Sequence, residues 1–227
     1  MGNKVTAIVL SAGMGKRMGT DKPKQYLIVN EKPILFYTIK AFEESNVDDI
    51  IIVCGEKDKE YCTKEIVQYF NFNKVKKVIA GGKERYNSVY NALEEINDCD
   101  YVLIHDGARP CIKPKLINLM IDRVITDKAC IMAVPVKDTI KIVYAGVIID
   151  SPDRRTLWQA QTPQAFEFEG IKKAYRSAIK GEEKQITDDA KVWSLYMGAP
   201  VKIVEGEYEN IKVTTKSDLE IIVNYLK

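Results

Sequence analysis

Histidine is almost missing from this chain: His105 is the only one in 227 residues. A Ser-His-Asp or Cys-His nucleophile scheme would have to use it, yet it ends an apolar run beside Asp106. That setting favours a structural or carboxylate-orienting role over that of a general base. Five cysteines (Cys54, Cys62, Cys99, Cys111 and Cys130) are an odd number without a C-x-x-C pair. This argues against a disulfide or zinc framework and makes the cytoplasm the expected compartment. No apolar run reaches the roughly 18 residues of a membrane span, and no signal-peptide core with a cleavage site opens the chain. An excess of one charge is missing too. Lys and Arg number 34 against 32 Asp and Glu, a net charge of +2, so bulk electrostatics make no case for a nucleic-acid or membrane partner. Internal repeats and low-complexity tracts are absent.

What is present is ordinary soluble-protein composition, 46% hydrophobic and 29% charged, at a length that suits one α/β domain over residues 1–227. Short apolar runs alternate with helix-period segments. Strands are expected at 5–10, 49–54, 75–79, 100–105, 129–135 and 200–204, and helices at 33–44, 57–70, 84–96, 113–126, 167–180, 187–197 and 216–226. Such alternation implies a mostly parallel sheet covered by helices on both faces, with ligands outside the carboxyl ends of the strands. Thr215-Lys216-Ser217-Asp218 reads as a capping-box start for the last helix. One segment breaks the rhythm: two β-rich runs flank Ala145-Gly146 and predict a hairpin over 138–150, extending to about 160. So apolar a hairpin is marginal alone. It must pack on something, either a second copy of the chain, as a dimerisation arm, or its own sheet.

The strongest local signal lies near the start. Val5-Thr6-Ala7-Ile8-Val9-Leu10 empties into Ser11-Ala12-Gly13-Met14-Gly15-Lys16-Arg17-Met18-Gly19, then Lys22-Pro23-Lys24-Gln25. A buried strand leading into a glycine-rich, basic loop offers backbone N–H groups and cations to a phosphate. Lys16, Arg17, Lys22 and Lys24 face one acid, Asp21. The dinucleotide fingerprint fails because the third glycine falls at Gly19 instead of Met18, and Walker A fails because Arg17 follows Gly15-Lys16. A loop whose cations merely face solvent is the plain alternative.

Further along, the strand over 100–105 delivers His105-Asp106-Gly107-Ala108-Arg109-Pro110 at its carboxyl end. An acid there suits Mg²⁺ bridging to phosphate oxygens. Gly107 permits close backbone approach, and Arg109 offers a planar fork for a second anionic group; a surface Asp–Arg turn is the plain alternative. Gly81-Gly82 precedes a helix start whose Arg85 and Ser88 share one face, a pattern suited to backbone contacts with a flat base. Asp153-Arg154-Arg155 and the loop Trp158-Gln159-Ala160-Gln161-Thr162-Pro163-Gln164 look like a binding wall. Thr187-Asp188-Asp189-Ala190 reads as a helix N-cap with first-turn acids, a role that leaves Thr187 open to substrate. Asn210-Ile211-Lys212-Val213-Thr214 sets a cation before the last helix.

Six stretches taken together resemble the 2-C-methyl-D-erythritol 4-phosphate cytidylyltransferase family of the non-mevalonate isoprenoid pathway, over essentially the whole chain. They are Ser-Ala-Gly-x-Gly-x-Arg-Met with Pro-Lys-Gln-Tyr; Gly-Gly-x-x-Arg-x-x-Ser-Val; His-Asp-Gly-Ala-Arg-Pro; Asp-Arg-x-x-Leu-Trp-x-Ala-Gln-Thr-Pro-Gln; Thr-Asp-Asp-Ala; and Asn-Ile-Lys-Val-Thr. The resemblance implies a single Rossmann-like domain that transfers CMP from CTP to a sugar-alcohol phosphate, releases pyrophosphate and uses Mg²⁺. It implies that Arg17 and Lys24 steady the charge developing on the α-phosphate. Ser11, Ala12, Gly13, Gly82, Arg85, Ser88 and Gly107 would line the nucleotide, and Asp106 would hold metal and substrate. Arg154 and Lys212 would position the acceptor phosphate, with Arg109, Thr139, Thr162 and Thr187 around it. The arm would cross to a second subunit, giving a homodimer in which Asp106, Arg109 and Thr139 serve a site shared between chains, with Thr139 and Arg109 given by one chain and Arg17 and Lys212 by the other. Ser11 and Gly107 stand where alanine is commoner in the family, and Lys216 where proline often follows Thr-Thr. The ribitol 5-phosphate cytidylyltransferase branch is the alternative within the class, and a CTP-binding sensor without turnover the alternative outside it; the presence of Arg17 and Lys24 speaks against the sensor.

Overall fold

A computed structural model describes residues 2–13, 23–181 and 186–226. Its main sheet has seven strands in the order β11-β7-β10-β6-β1-β4-β5. These are β1 (Val5–Ser11), β4 (Asp49–Cys54), β5 (Val75–Ala80), β6 (Tyr101–Asp106), β7 (Ala129–Pro135), β10 (Trp158–Glu167) and β11 (Lys202–Glu205). Two short ribbons stand apart, β2 (Ile28–Val29) with β3 (Lys32–Pro33), and β8 (Ile142–Tyr144) with β9 (Val147–Asp150). The helices are α1 (Ile34–Glu43), α2 (Lys59–Tyr61) continued by a π-helical stretch (Cys62–Gln68), α3 (Arg85–Glu95), α4 (Pro114–Asp127), α5 (Phe168–Lys180), α6 (Asp189–Met197) and α7 (Lys216–Tyr225).

The period of two along each strand divides the core between the two faces of the sheet. Ala7 and Val9 of β1, Ile50 and Ile52 of β4 and Leu103 of β6 face α1 and α4, packing with Leu35, Ile39, Phe42, Ile117 and Met120. Ile8, Ile51, Val53, Val102 and Ile104 face the other way, against Val89 and Leu93 of α3, Ile171, Ala174 and Tyr175 of α5, and Trp193 of α6. The i, i+3, i+4, i+7 set Ile171, Ala174, Tyr175 and Ala178 is fully inside, as an amphipathic helix on a sheet requires. The mostly parallel sheet with both faces covered is therefore as the alternation implies. A third, smaller cluster joins Ile222 of α7 and Val213 to Val29 and Ile34, and α7 starts with the expected capping box of Thr215 and Asp218.

One strand of the main sheet differs from expectation. Residues 158–167 form β10, antiparallel between β6 and β7, where the sequence reads as a loop. Glutamines and a proline hide it, since proline cannot donate to a ladder and normally marks an edge. The pairing with β7 slips between Ala160 and Gln164, and the bulge gives Gln161, Thr162 and Pro163 their place. The arm therefore ends before Trp158, which pairs with Pro135 in the main sheet, and does not extend to about 160. The long helix expected over 57–70 is broken into a 3₁₀ turn, α2 and the π-helical stretch that buries Cys62 and Ile66.

The hairpin of β8 and β9 forms as expected. Tyr144 pairs with Val147, and Ala145 and Gly146 between them have φ of 48° and 80°. Positive φ at both turn positions matches the twist of a two-residue hairpin. It does not fold back on its own sheet: it pairs only with itself, and Val143, Tyr144, Val147, Ile148 and Ile149 are all more than half exposed. Among the described residues no helix is long and apolar enough to cross a membrane.

Candidate active site

From β1 the chain runs out to β4 and β5 on one side, and β6 lies on the other. The strand order thus reverses at β1, and the crevice outside the carboxyl ends of β1 and β6 is the expected ligand position. A cavity of about 310 Å³ lies there. It is lined by Ser11, Ala12 and Gly13 at the end of β1, Lys24 and Gln25, Gly82 to Arg85 and Ser88 at the start of α3, and Asp106, Ala108 and Lys212. A second cavity, of about 330 Å³, adjoins it and is lined by Arg109, Ala160, Gln161, Thr162, Gln164, Thr187 and Asp188. The two share Arg85, Asp106 and Lys212.

Asp106 is the hub. Lys212 Nζ lies 2.9 Å and Arg109 Nε 3.6 Å from its Oδ2, and Arg85 Nε lies 3.4 Å from its Oδ1. Burial alone would push this carboxyl up; Arg85, Lys212 and Arg109 override that and hold it well below the usual carboxylate range. Arg109 is pinned in turn, its Nη1 donating to the Asn210 carbonyl at 2.8 Å. The fully buried Asn210 donates to Gln161 Oε1 and to the Thr162 carbonyl, which explains the asparagine two residues before Lys212. Lys24 Nζ donates to the Val213 carbonyl at 2.7 Å, bringing the basic loop's last cation to the same segment.

His105 is the structural residue expected from its position. Its Nε2 meets the Arg109 carbonyl at 3.3 Å, and a carbonyl only accepts, so Nε2 carries the proton. Nδ1 then accepts from the Thr162 hydroxyl at 3.1 Å, whose oxygen takes the Asp106 N–H at 3.0 Å. Burial pushes the imidazole down to about 3. The unfolded chain therefore binds a proton near pH 6.5 that the native state refuses. We expect stability to fall as pH drops from about 6.5 toward 3, by up to ~1.4 kcal/mol per pH unit from this group. His105→Gln, which keeps one donor and one acceptor, is expected to flatten that slope in urea denaturation measured across pH.

The sequence-derived site residues divide three ways. Ser11, Ala12, Gly13, Lys24, Gly82, Arg85, Ser88, Asp106, Arg109, Thr162, Thr187 and Lys212 all line one or both cavities. Gly107 does not. It is buried, its N–H donates to the Leu10 carbonyl and its carbonyl accepts from Thr38 Oγ1. A Cβ there would sit 2.9 Å from the Leu10 oxygen, so this glycine serves the packing of β6 on β1. Thr139 and Arg154 also lie away from both cavities of their own chain. Thr139 is an exposed residue leading into β8, and Arg154 donates to the Lys137 carbonyl at the base of the arm. The expected convergence of Arg154 with Arg109 and Lys212 therefore does not occur within one chain. Arg17 lies outside the described residues. The N-cap of α6 is Asp188, which accepts from Lys191 N–H, rather than Thr187. Gln164 and Asp188 also line the second cavity; the polar composition of the 158–164 stretch was the only sequence signal for the first, and the helix-cap pattern of 187–190 the only one for the second.

Residues 5–227 match the family model for 2-C-methyl-D-erythritol 4-phosphate cytidylyltransferase. This chain belongs to that family. The proteins of this name from Lachnoclostridium phytofermentans and Lachnospira eligens are 49% and 48% identical to it, over 95% and 98% of this chain and 93% and 99% of theirs. The crystal structure of 4-diphosphocytidyl-2C-methyl-D-erythritol synthase from Anaerococcus prevotii superposes with a TM-score of 0.86 at 30% identity, covering 99% of this chain and 96% of that one. The cytidylyltransferase of Francisella tularensis superposes at 0.82 with 31% identity, covering 98% and 99%. The chain is accordingly a nucleotidyltransferase of isoprenoid biosynthesis. The family's reaction takes CTP and 2-C-methyl-D-erythritol 4-phosphate to 4-diphosphocytidyl-2-C-methyl-D-erythritol and pyrophosphate.

Proposed function

We propose that this chain transfers CMP from CTP to 2-C-methyl-D-erythritol 4-phosphate by direct in-line attack, with the nucleotide in the first cavity and the acceptor in the second. The observation that carries this reading is the shared wall of the two cavities at Asp106, Arg85 and Lys212. Direct transfer between two substrates needs adjoining sites and cations where charge accumulates. An acceptor phosphate oxygen forms the new bond to the α-phosphorus, and the α–β bridging bond breaks with its electrons leaving on pyrophosphate. The attacking phosphate is already ionised at neutral pH, so no base is required; a neutral, buried His105 is consistent with that. Lys24, together with Arg17, steadies charge on the α-phosphate, and Lys212 and Arg109 draw the acceptor phosphate.

Among the described residues no group of three or more His, Cys, Asp or Glu side chains is placed to hold a metal ion. The donors present nevertheless suit Mg²⁺, which commonly takes one or two carboxylates and completes its shell from phosphates and water. Asp106 would be that carboxylate. Glu84 and Asp188, the other acids lining the cavities, accept from backbone N–H groups as helix caps. When bound, the ion neutralises charge on the triphosphate. We place the enzyme in the cytoplasm, with no nucleic-acid or membrane partner.

The acceptor side is completed by a second copy. The exposed apolar arm and the distance of Arg154 and Thr139 from their own cavities support a homodimer in which the arm serves its neighbour's site. Arg109 and Lys212 meet at one Asp106, so they belong to the same site and cannot complement each other. Arg154→Ala mixed with Lys212→Ala after reassembly is expected to regain activity through heterodimers with one intact site. Confirmed heterodimers without recovery count against the shared site. The reaction itself is tested by pyrophosphate release with each of four nucleoside triphosphates, against methylerythritol phosphate and ribitol 5-phosphate, with and without Mg²⁺. CTP with methylerythritol phosphate and Mg²⁺ is the expected active combination. Preference for ribitol 5-phosphate overturns the acceptor assignment, and acceptor-independent release or none overturns the enzyme reading.

A further inference from the structure

Asp189 is a charged residue in the wrong place for a substrate contact. Its side chain is fully buried in the first turn of α6, and it lines neither cavity. A carboxylate without water must be paired. Here both oxygens are taken by Arg85, Nη1 to Oδ1 and Nη2 to Oδ2, each at 2.8 Å, and Oδ1 also accepts from the Tyr175 hydroxyl at 2.5 Å. Tyr175 is itself fully buried, in α5.

We propose that Tyr175 and Asp189 are positioning residues for the transfer reaction, locking the Arg85 guanidinium, and through it Asp106, at the wall between the two cavities. The inference rests on the catalytic reading above. A bidentate pair fixes the plane of a guanidinium as well as its location. One N–H of each terminal nitrogen goes to Asp189, which holds the guanidinium so that its Nε lies 3.4 Å from Asp106 Oδ1. Held in this way, Arg85 acts through Asp106.

The frame behind the pair is braced independently. Gln164 of β10 accepts the N–H groups of Asp189 and Ala190 at 3.1 and 2.9 Å, and its amide donates to the Asp188 carboxylate at 3.1 Å. The start of α6 is thereby tied to the strand that carries Thr162, which itself accepts the Asp106 N–H. Asp106 is held through its backbone by Thr162, and through its side chain by Lys212 and Arg109 at Oδ2 and by Arg85 at Oδ1. The hold at Oδ1 depends on one buried phenol and one buried carboxylate.

The test compares Tyr175→Phe, which keeps the ring and removes only its oxygen, with Asp189→Asn, which keeps the shape and removes the charge. Steady-state kinetics, CTP calorimetry and thermal midpoints are measured for each, alone and combined with Arg85→Met. We expect Tyr175→Phe to lower kcat/KM for the acceptor by about fivefold or more, and Asp189→Asn by more still, with CTP affinity changed less than about twofold. In the Arg85→Met background the Tyr175→Phe change is expected to have no further effect, because its route is gone. A purely structural role would shift the midpoint and leave equal losses in both backgrounds. Should either variant fail to fold, the other is read by the same criteria. Independently of turnover, the Arg85 Nε–H resonance is expected to shift and exchange faster in Tyr175→Phe. An unchanged resonance, wild-type kinetics in both variants, or equal losses in both backgrounds overturns the proposal. An inactive wild-type chain overturns the catalytic reading instead, and leaves the relay to be decided by the Arg85 signal.

Discussion

Asp106→Asn is expected to lower turnover by about a hundredfold or more and to destabilise the fold by about 3 kcal/mol, since it leaves the mostly buried Arg109 guanidinium without its carboxylate. Arg109 then keeps only the Asn210 carbonyl among its close partners, and Lys212 loses its contact at 2.9 Å. The two losses separate by pH. In the native protein the Asp106 carboxyl titrates well below the usual range because Arg85, Lys212 and Arg109 outweigh its burial. A depressed folded value means that the stabilisation is fully present above the unfolded value, about 3.9. It is lost as pH falls from there through the folded value. Wild-type protein is thus expected to lose stability below about pH 4 with a slope that Asp106→Asn lacks. Urea midpoints from pH 3 to pH 7, beside kcat and CTP calorimetry at neutral pH, check both effects. Equal acid slopes in the two proteins would contradict the charge cluster.

Lys24→Ala is expected to reduce kcat far more than it weakens CTP binding, with a barrier increase on the order of 2–4 kcal/mol, comparable to removing one oxyanion donor. Lys24 lines the first cavity and is steadied at the Val213 carbonyl, one residue from Lys212. A cation so placed acts most strongly where negative charge grows during transfer. Arg17→Ala is expected to behave alike. Steady-state kinetics paired with CTP calorimetry decide the matter, and near-normal turnover in both variants removes these two residues from the chemistry.

Local patterns were enough to place most of the scaffold. The unbroken apolar runs of β1, β4 and β6 are what strands buried on both faces require, and the 171, 174, 175, 178 spacing is a helix lying on a sheet. Turn chemistry at Ala145-Gly146 and the cap at Thr215 were readable because they depend on a few adjacent residues. Ser11 to Gly13 and Asp106 were legible for a related reason, as both groups sit where a strand ends, and sheets of this class bind ligands there.

Partnership across the chain was not legible. β10 is a strand because β6 and β7 leave a slot for it, although its glutamines and proline argue locally against one. Gly107 has the composition of a ligand contact, and only the tertiary structure shows that it lies against the Leu10 oxygen, away from both cavities. Arg85 has the charge to hold a phosphate, and 104 residues away lies the buried carboxylate that grips its two terminal nitrogens. Asp106, Arg109 and Lys212 share one cluster, whereas Arg154 stands at the base of the arm. Residue type and spacing specify what a segment can do with its neighbours in sequence. Which charge meets which depends on long-range packing, and so the allocation of cations between structure and substrate was decided by the tertiary fold.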